Sequence, residues 1–160
     1  MDFRVFSTQL LENKRRMEAA ILNITDEIAL LEESKVSVKT SAPGGAPISG
    51  TGANRYEDRL IKLICLCDEL KQRRRNIEIN LACIERGMQP LSDYERDLLN
   101  GFYVFGGKNA AERMMSKHHK ERSSIYRDKD KALTHFTQAL YGPDIISGKI
   151  TPSEAFAQPQ

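Results

Sequence analysis

The sequence predicts an all-α protein in which an N-terminal long helical hairpin, an antiparallel coiled coil, precedes a C-terminal three-helix helix-turn-helix domain. Three observations carry this. Two stretches place apolar residues in alternating steps of four and three, the 3.5-residue period of a coiled-coil seam, and no β-type alternation of comparable length occurs. A run of glycine and proline separates the two stretches. Beyond the second stretch, capping and breaking residues cut the chain into a helix, a short helix, a tight turn and a longer helix.

The first coiled-coil helix, assigned to residues 1–40, has its seam at Phe3, Ser7, Leu10, Lys14, Met17, Ile21, Ile24, Ile28 and Leu31. The second, residues 55–90, keeps the rhythm without exception through Tyr56, Leu60, Leu63, Cys67, Leu70, Arg74, Ile77, Leu81, Ile84 and Met88. Each pattern is about 50 Å long at 1.5 Å per residue, and matched lengths suit antiparallel pairing. Between them, residues 41–54 (SAPGGAPISGTGAN) lack the apolar side chains needed to pack and read as a flexible loop. Nothing in that loop matches a phosphate-cradling pattern. Leu11, Leu22, Ile61 and Ile79 fall off the two seams, which predicts a second face buried against another copy in a homo-oligomer.

Gly87 and Pro90 read as the end of the second helix. The domain assigned to residues 91–142 then opens with SDYE (92–95), a capping box with Ser92 as N-cap and Glu95 three residues later. This helix runs to about Val104 and Gly106-Gly107 breaks it. A short helix over residues 109–117 has Ala110, Ala111, Met114 and Met115 as its apolar face. After a turn at residues 118–120, a longer helix over 121–140 faces Ile125, Leu133, Phe136 and Leu140 inward, and Gly142-Pro143 stops it. Residues 143–160 form a small, polar, flexible tail, in which TPSE (151–154) suits the cap of one short turn.

Composition narrows the functional classes. The 160 residues are 40% hydrophobic and 29% charged, the balance of a soluble protein. No apolar run approaches the roughly 18 residues of a membrane span, and the N-terminus lacks the apolar core of a signal peptide. Three cysteines, an odd number without framework spacing, suit a reducing cytoplasm. Tryptophan is absent and aromatics are 7%, which argues against a large aromatic-lined pocket. Cys65 and Cys67 point to different helix faces and Cys83 lies more than four turns away, so they do not make a four-ligand metal site. No nucleophile–base pair or paired-carboxylate spacing stands out. The expectation is a non-enzyme without cofactor or metal.

The net charge is only +2, but it is unevenly spread: residues 105–142 carry eight basic and four acidic side chains and all three histidines. A polyanion is therefore sought there. In a helix-turn-helix the front of the last helix enters the major groove while its back packs into the core. Lys120, Arg122, Ser123, Ser124, Tyr126 and Arg127 cluster at that front, with Leu133, Phe136 and Leu140 behind. Basic side chains neutralise phosphates or reach guanine edges, and serine hydroxyls take phosphate oxygens. The competing reading is a solvated basic helix packed on the hairpin. Arg73, Arg74 and Arg75 read as a solvated face, with a second DNA or protein contact as the sharper alternative.

The segment LSDYERDLLNGFYVFGGKNAAERMMSKHHKERSSIYRDKDKALTHF (91–136) resembles the C-terminal domain of phage late transcriptional regulators of the ArpU type. It is also similar to the promoter-recognising C-terminal region of sigma factors. Leu91 with Glu95 and Arg96, Gly107 with Lys108, RSSIYR (122–127) and Lys131 to Leu133 carry the resemblance. The resemblance implies binding of double-stranded DNA through Arg122, Ser123, Ser124, Tyr126 and Arg127, and Lys108 and Lys120 complete the candidate set. It implies a phage or prophage transcriptional regulator in the cytoplasm of a bacterial host, whose hairpin sets oligomeric state or touches the transcription machinery, RNA polymerase included. Two other readings stay open: a small-terminase-like DNA-packaging recognition subunit, and a coiled-coil adaptor that binds no DNA.

Overall fold

The computed structural model describes residues 3–40 and 52–144, with side chains described for 3–37 and 55–144. Most of the expected loop and nearly all of the expected tail, residues 151–154 included, lie outside these. The described residues are helical and contain no strand. In chain order they form α1 (Phe3–Glu12), α2 (Lys14–Thr40), α3 (Gly52–Met88), α4 (Asp93–Leu99), α5 (Ala110–His118) and α6 (Arg122–Tyr141). A π-helical turn, Asn100–Val104, extends α4 and is closed by the Phe105 N–H donating to the Asn100 carbonyl at 2.8 Å. Helix α3 starts at Gly52, inside the stretch assigned to the loop. The chain divides into two compact units, Met17–Ile79 and Met1–Arg16 with Asn80–Gln160.

In the unit Met17–Ile79 the 3.5-residue period decides burial. From residue 57 to residue 79, every seam position of α3 is buried or half-buried and every other position is exposed. Ile24, Ile28 and Cys67 form the buried centre, with Leu31, Leu70 and Ile77 packed around it. Side-chain bonds run in antiparallel order along α2 and α3. The Arg74 guanidinium donates to the Thr25 hydroxyl at 3.5 Å, and Lys71 donates to the Glu32 carboxylate at 2.7 Å. The buried Cys67 thiol donates to the same carboxylate at 3.1 Å. These bonds, with Lys71 the strongest influence, pull the Glu32 pKa down to about 2. Arg74 occupies a seam position as a half-buried residue with its guanidinium also 3.4 Å from Glu78, a long stem covering apolar surface while its charge stays near water.

In the second unit, α1 is not the start of a coiled-coil helix. It ends at Glu12, Asn13 forms a turn, and its contacts go to α6 and to the π-helical turn. The reason is a buried face set by partners distant in sequence. The Ser7 hydroxyl accepts from Thr137 at 3.0 Å in the interior, the Phe3 ring lies 5.0 Å from Tyr141, and Leu11 is fully buried. Leu11 is thus a core residue of its own unit, not part of a face for a second copy.

Helix α3 ends at Met88, between Gly87 and Pro90 as expected, but Gly87 also has a packing role. It lies buried inside α3, and a Cβ there would meet Phe136 at 2.7 Å and Leu140 at 2.9 Å. Glycine at this position lets α6 approach the backbone of α3. Around it Ile84, Leu91, Leu98, Leu99, Ile125, Leu133 and Phe136 make the core. Leu98 of α4, Met114 of α5 and Ile125 of α6 form its centre, flanked by Tyr94, Phe102 and Met115. Three short helices thereby share one apolar centre, which fixes how the front of α6 is presented.

Candidate nucleic-acid interface

The presentation of α6 starts with two local backbone devices. Ser92 caps α4 through the full capping box: its hydroxyl accepts from the Glu95 N–H at 3.3 Å and the Glu95 carboxylate accepts from the Ser92 N–H at 3.0 Å. Further along the chain, α5 stops because His119 takes a left-handed conformation with φ of 52°. Its N–H donates to the Met115 carbonyl, closing the last turn of α5. Lys120 and Glu121 then lead directly into α6, whose front carries Arg122, Ser123, Ser124, Ile125, Tyr126 and Arg127.

Burial divides that front. Ile125 is fully buried, Ser124 is half-buried, and Arg122, Ser123, Tyr126 and Arg127 are exposed. Among the described residues Arg122 and Arg127 make no ion pair, so both charges face solvent. Tyr126 is held between charges and a second ring. The Arg122 guanidinium stands 5.8 Å and the Lys129 ammonium 5.2 Å from its ring centroid, and Phe102 packs against it at 5.7 Å. Lys129 is in turn enclosed by Phe102 and Tyr103 and paired with Asp130 at 3.6 Å. A cation over an aromatic face costs less freedom than a free one, because the ring already fixes its position.

The remaining two sequence candidates sit differently. Lys120 is engaged within the fold: its ammonium donates to the Asp128 carboxylate at 2.9 Å and lies 4.1 Å above the Tyr94 ring, while the Tyr94 hydroxyl donates to the same carboxylate at 2.9 Å. The bond to Asp128 raises the Lys120 pKa, and Lys120 lowers that of Asp128. This knot ties the turn before α6 to α4 and to the body of α6. Lys108 is exposed in the turn before α5, where Gly106 and Gly107 have positive φ and the Arg113 guanidinium donates to the Gly106 carbonyl at 2.6 Å.

The last turn of α5 is clamped as well. Lys117 donates to one oxygen of Asp97 at 2.6 Å and His118 Nε2 lies 2.5 Å from the other. Burial alone would raise the Asp97 carboxyl, but the bonds from Lys117 and His118 outweigh it and hold the group below the ordinary carboxylate range. Glu95 behaves the same way, with burial opposed by the Ser92 and His135 bonds.

Two basic residues outside the candidate set lie beside Arg127. Lys131 is exposed one turn further along α6, and Arg4 of α1 borders the same cleft. The four-residue step from Arg127 to Lys131 is legible in the sequence, whereas nothing local joins Arg4 to α6. Among the described residues no group of three metal-ligating side chains converges, and no helix is long and apolar enough to cross a membrane. Compared with family models, curated proteins and solved structures, the chain has no significant match.

Proposed function

We propose that this chain is a phage or prophage transcriptional regulator that binds promoter DNA through a C-terminal sigma-factor-like helix-turn-helix made by α4, α5 and α6. The observation that carries this reading is the division of the α6 front. Ile125 anchors it to Leu98 and Met114, while Arg122, Ser123, Tyr126 and Arg127 project unpaired or lightly held into solvent. A rigid helix that offers guanidinium and hydroxyl groups from a fixed base suits insertion into the major groove. The ion-paired clamps at Asp97 and Asp128 support it, since they fix both sides of the turn and so the angle at which α6 is offered. The antiparallel pair of α2 and α3 is the hairpin in this reading, with a role in self-association or in contact with RNA polymerase.

The test is selection of duplexes from a random-sequence library by the full chain, repeated with Arg122→Ala. The expected result is one enriched motif, with Arg122→Ala losing about 1–3 kcal/mol of discrimination at a single base position. Selection that enriches nothing would contradict a promoter-binding function and leave the adaptor reading. Enrichment by a ring-sized oligomer would favour the packaging subunit.

A further inference from the structure

Arg127, at the rear of the α6 front, also begins a second basic feature whose other members the helix-turn-helix reading does not use. Arg127, Lys131 and His135 recur in steps of four along α6, each about 6 Å further along the axis and on one slowly turning face. Arg4 reaches this face from α1, its guanidinium donating to the Asp130 carbonyl at 3.4 Å and standing 4.0 Å from the Asp130 carboxylate. Together Arg4, Arg127, Asp130, Lys131, Thr134 and His135 line an open cleft of about 400 Å³.

The charge in this cleft is unbalanced. Its one carboxylate, Asp130, already has Arg4 and Lys129 beside it. Arg127 and Lys131 make no ion pair among the described residues, and like charges one helical turn apart disfavour a helix. A bound anion relieves that repulsion. The cleft is open rather than enclosed, which suits a continuous polyanion that passes along it.

We propose that Arg4, Arg127 and Lys131 form a phosphate-backbone clamp that holds one DNA strand beside the groove read by the α6 front; this rests on the reading above. The geometry also divides the labour between the two arginines of the front. Arg122 and Arg127 are five residues apart, about 140° in azimuth at 100° per residue. Arg127 shares its side with Lys131 and Arg4, so Arg127 holds phosphate and Arg122 is left to reach base edges. The clamp thus recruits α1, a helix outside the motif, to fix the register of the duplex.

The experiment measures binding of the full chain to a fluorescein-labelled duplex of mixed sequence, about two helical turns long, across about 50 to 200 mM salt. Arg4→Gln and Lys131→Gln should each reduce the slope of log affinity against log salt by about one, and the double variant by about two, with no change in preferred sequence. Lys131→Arg should keep the parent slope, because charge is what the contact needs. Lys131 is exposed and unpaired, so its variants test the clamp even if loss of Arg4 weakens the fold. If the parent binds and Arg122→Ala weakens selective binding, but the Arg4 and Lys131 variants keep the parent slope, the clamp is wrong and the helix-turn-helix reading stands. If the parent binds no duplex at the lowest salt, both are wrong.

Discussion

Gly87 shows how much one missing side chain decides. In a helix interior glycine is about 1 kcal/mol worse than alanine, so Gly87→Ala on propensity alone would stabilise. The space says otherwise: the added Cβ would sit 2.7 Å from the ring of Phe136, itself fully buried. Overpacking of this kind costs about 1–3 kcal/mol, so a net loss of about 1 kcal/mol is expected from chemical denaturation. Gly101 is the comparison, because its Cβ would meet only the flexible end of Met114 at 2.8 Å. Gly101→Ala should cost less than Gly87→Ala; the reverse order would show that α6 does not rest on the α3 backbone. At this scale the sequence is only partly legible: Gly87 and Pro90 do bracket the end of α3 at Met88, but the close approach of Phe136 that requires glycine does not show in it. Lys120 likewise reads from the sequence as one more basic residue of the turn, and its ties to Asp128 and Tyr94 could not be foreseen. In both cases the deciding partner lies in another helix and leaves no local trace.

Elements were far more legible than residues. The seam of α3 fixes its buried face because a 3.5-residue period selects one side of a helix whatever that side packs against. Capping and breaking residues likewise placed the start of α4 and both ends of α5 and α6 within a residue or two, since Ser92, Gly106-Gly107 and Gly142 act on the backbone beside them, whereas α4 itself ends at Leu99 and reaches Val104 only through the π-helical turn. Helix α1 was misread for the opposite reason. Ser7 and Leu11 are buried by α6 and its neighbours, about 130 residues away in the case of Thr137; the seam includes Ser7 but passes by Leu11, and nothing local names the partner. The α2–α3 pair yields its own prediction. Ile28→Ala, at the buried centre, should cost about 2 kcal/mol, the lower end of the core range because half-buried neighbours can close in. Leu22, 67% exposed on the same helix, should tolerate alanine within about 0.5 kcal/mol. A Leu22→Ala loss as large as that of Ile28→Ala, growing with protein concentration, would show instead that the exposed face is buried against another copy.

At the scale of the whole molecule, acid is the most informative perturbation. Glu32, Glu95, Asp97 and Asp128 all have carboxyl groups held below their ordinary values, chiefly by cationic partners or by hydrogen bonds that overcome burial. A depressed folded-state pKa adds stability that is complete above the unfolded value and fades as pH falls through the folded one. Denaturation midpoints should therefore hold down to about pH 5 and drop below about pH 4, the ordinary carboxylate range. Asp97→Asn should lower the midpoint at pH 7, and its deficit should shrink as pH falls below about 4. A deficit that stays constant down to pH 2 would mean that it does not come from the ionised bonds to Lys117 and His118.

Amide chemical-shift mapping of the full chain during titration with a duplex tests most directly the proposal that the front of α6 meets DNA. Shifts should cluster at residues 119–131 and at Arg4, where α1 borders the same cleft, while amides around Arg73, Arg74 and Arg75 stay still. Shifts centred on those three arginines, with α6 unmoved, would make α3 the DNA-binding element and contradict the account.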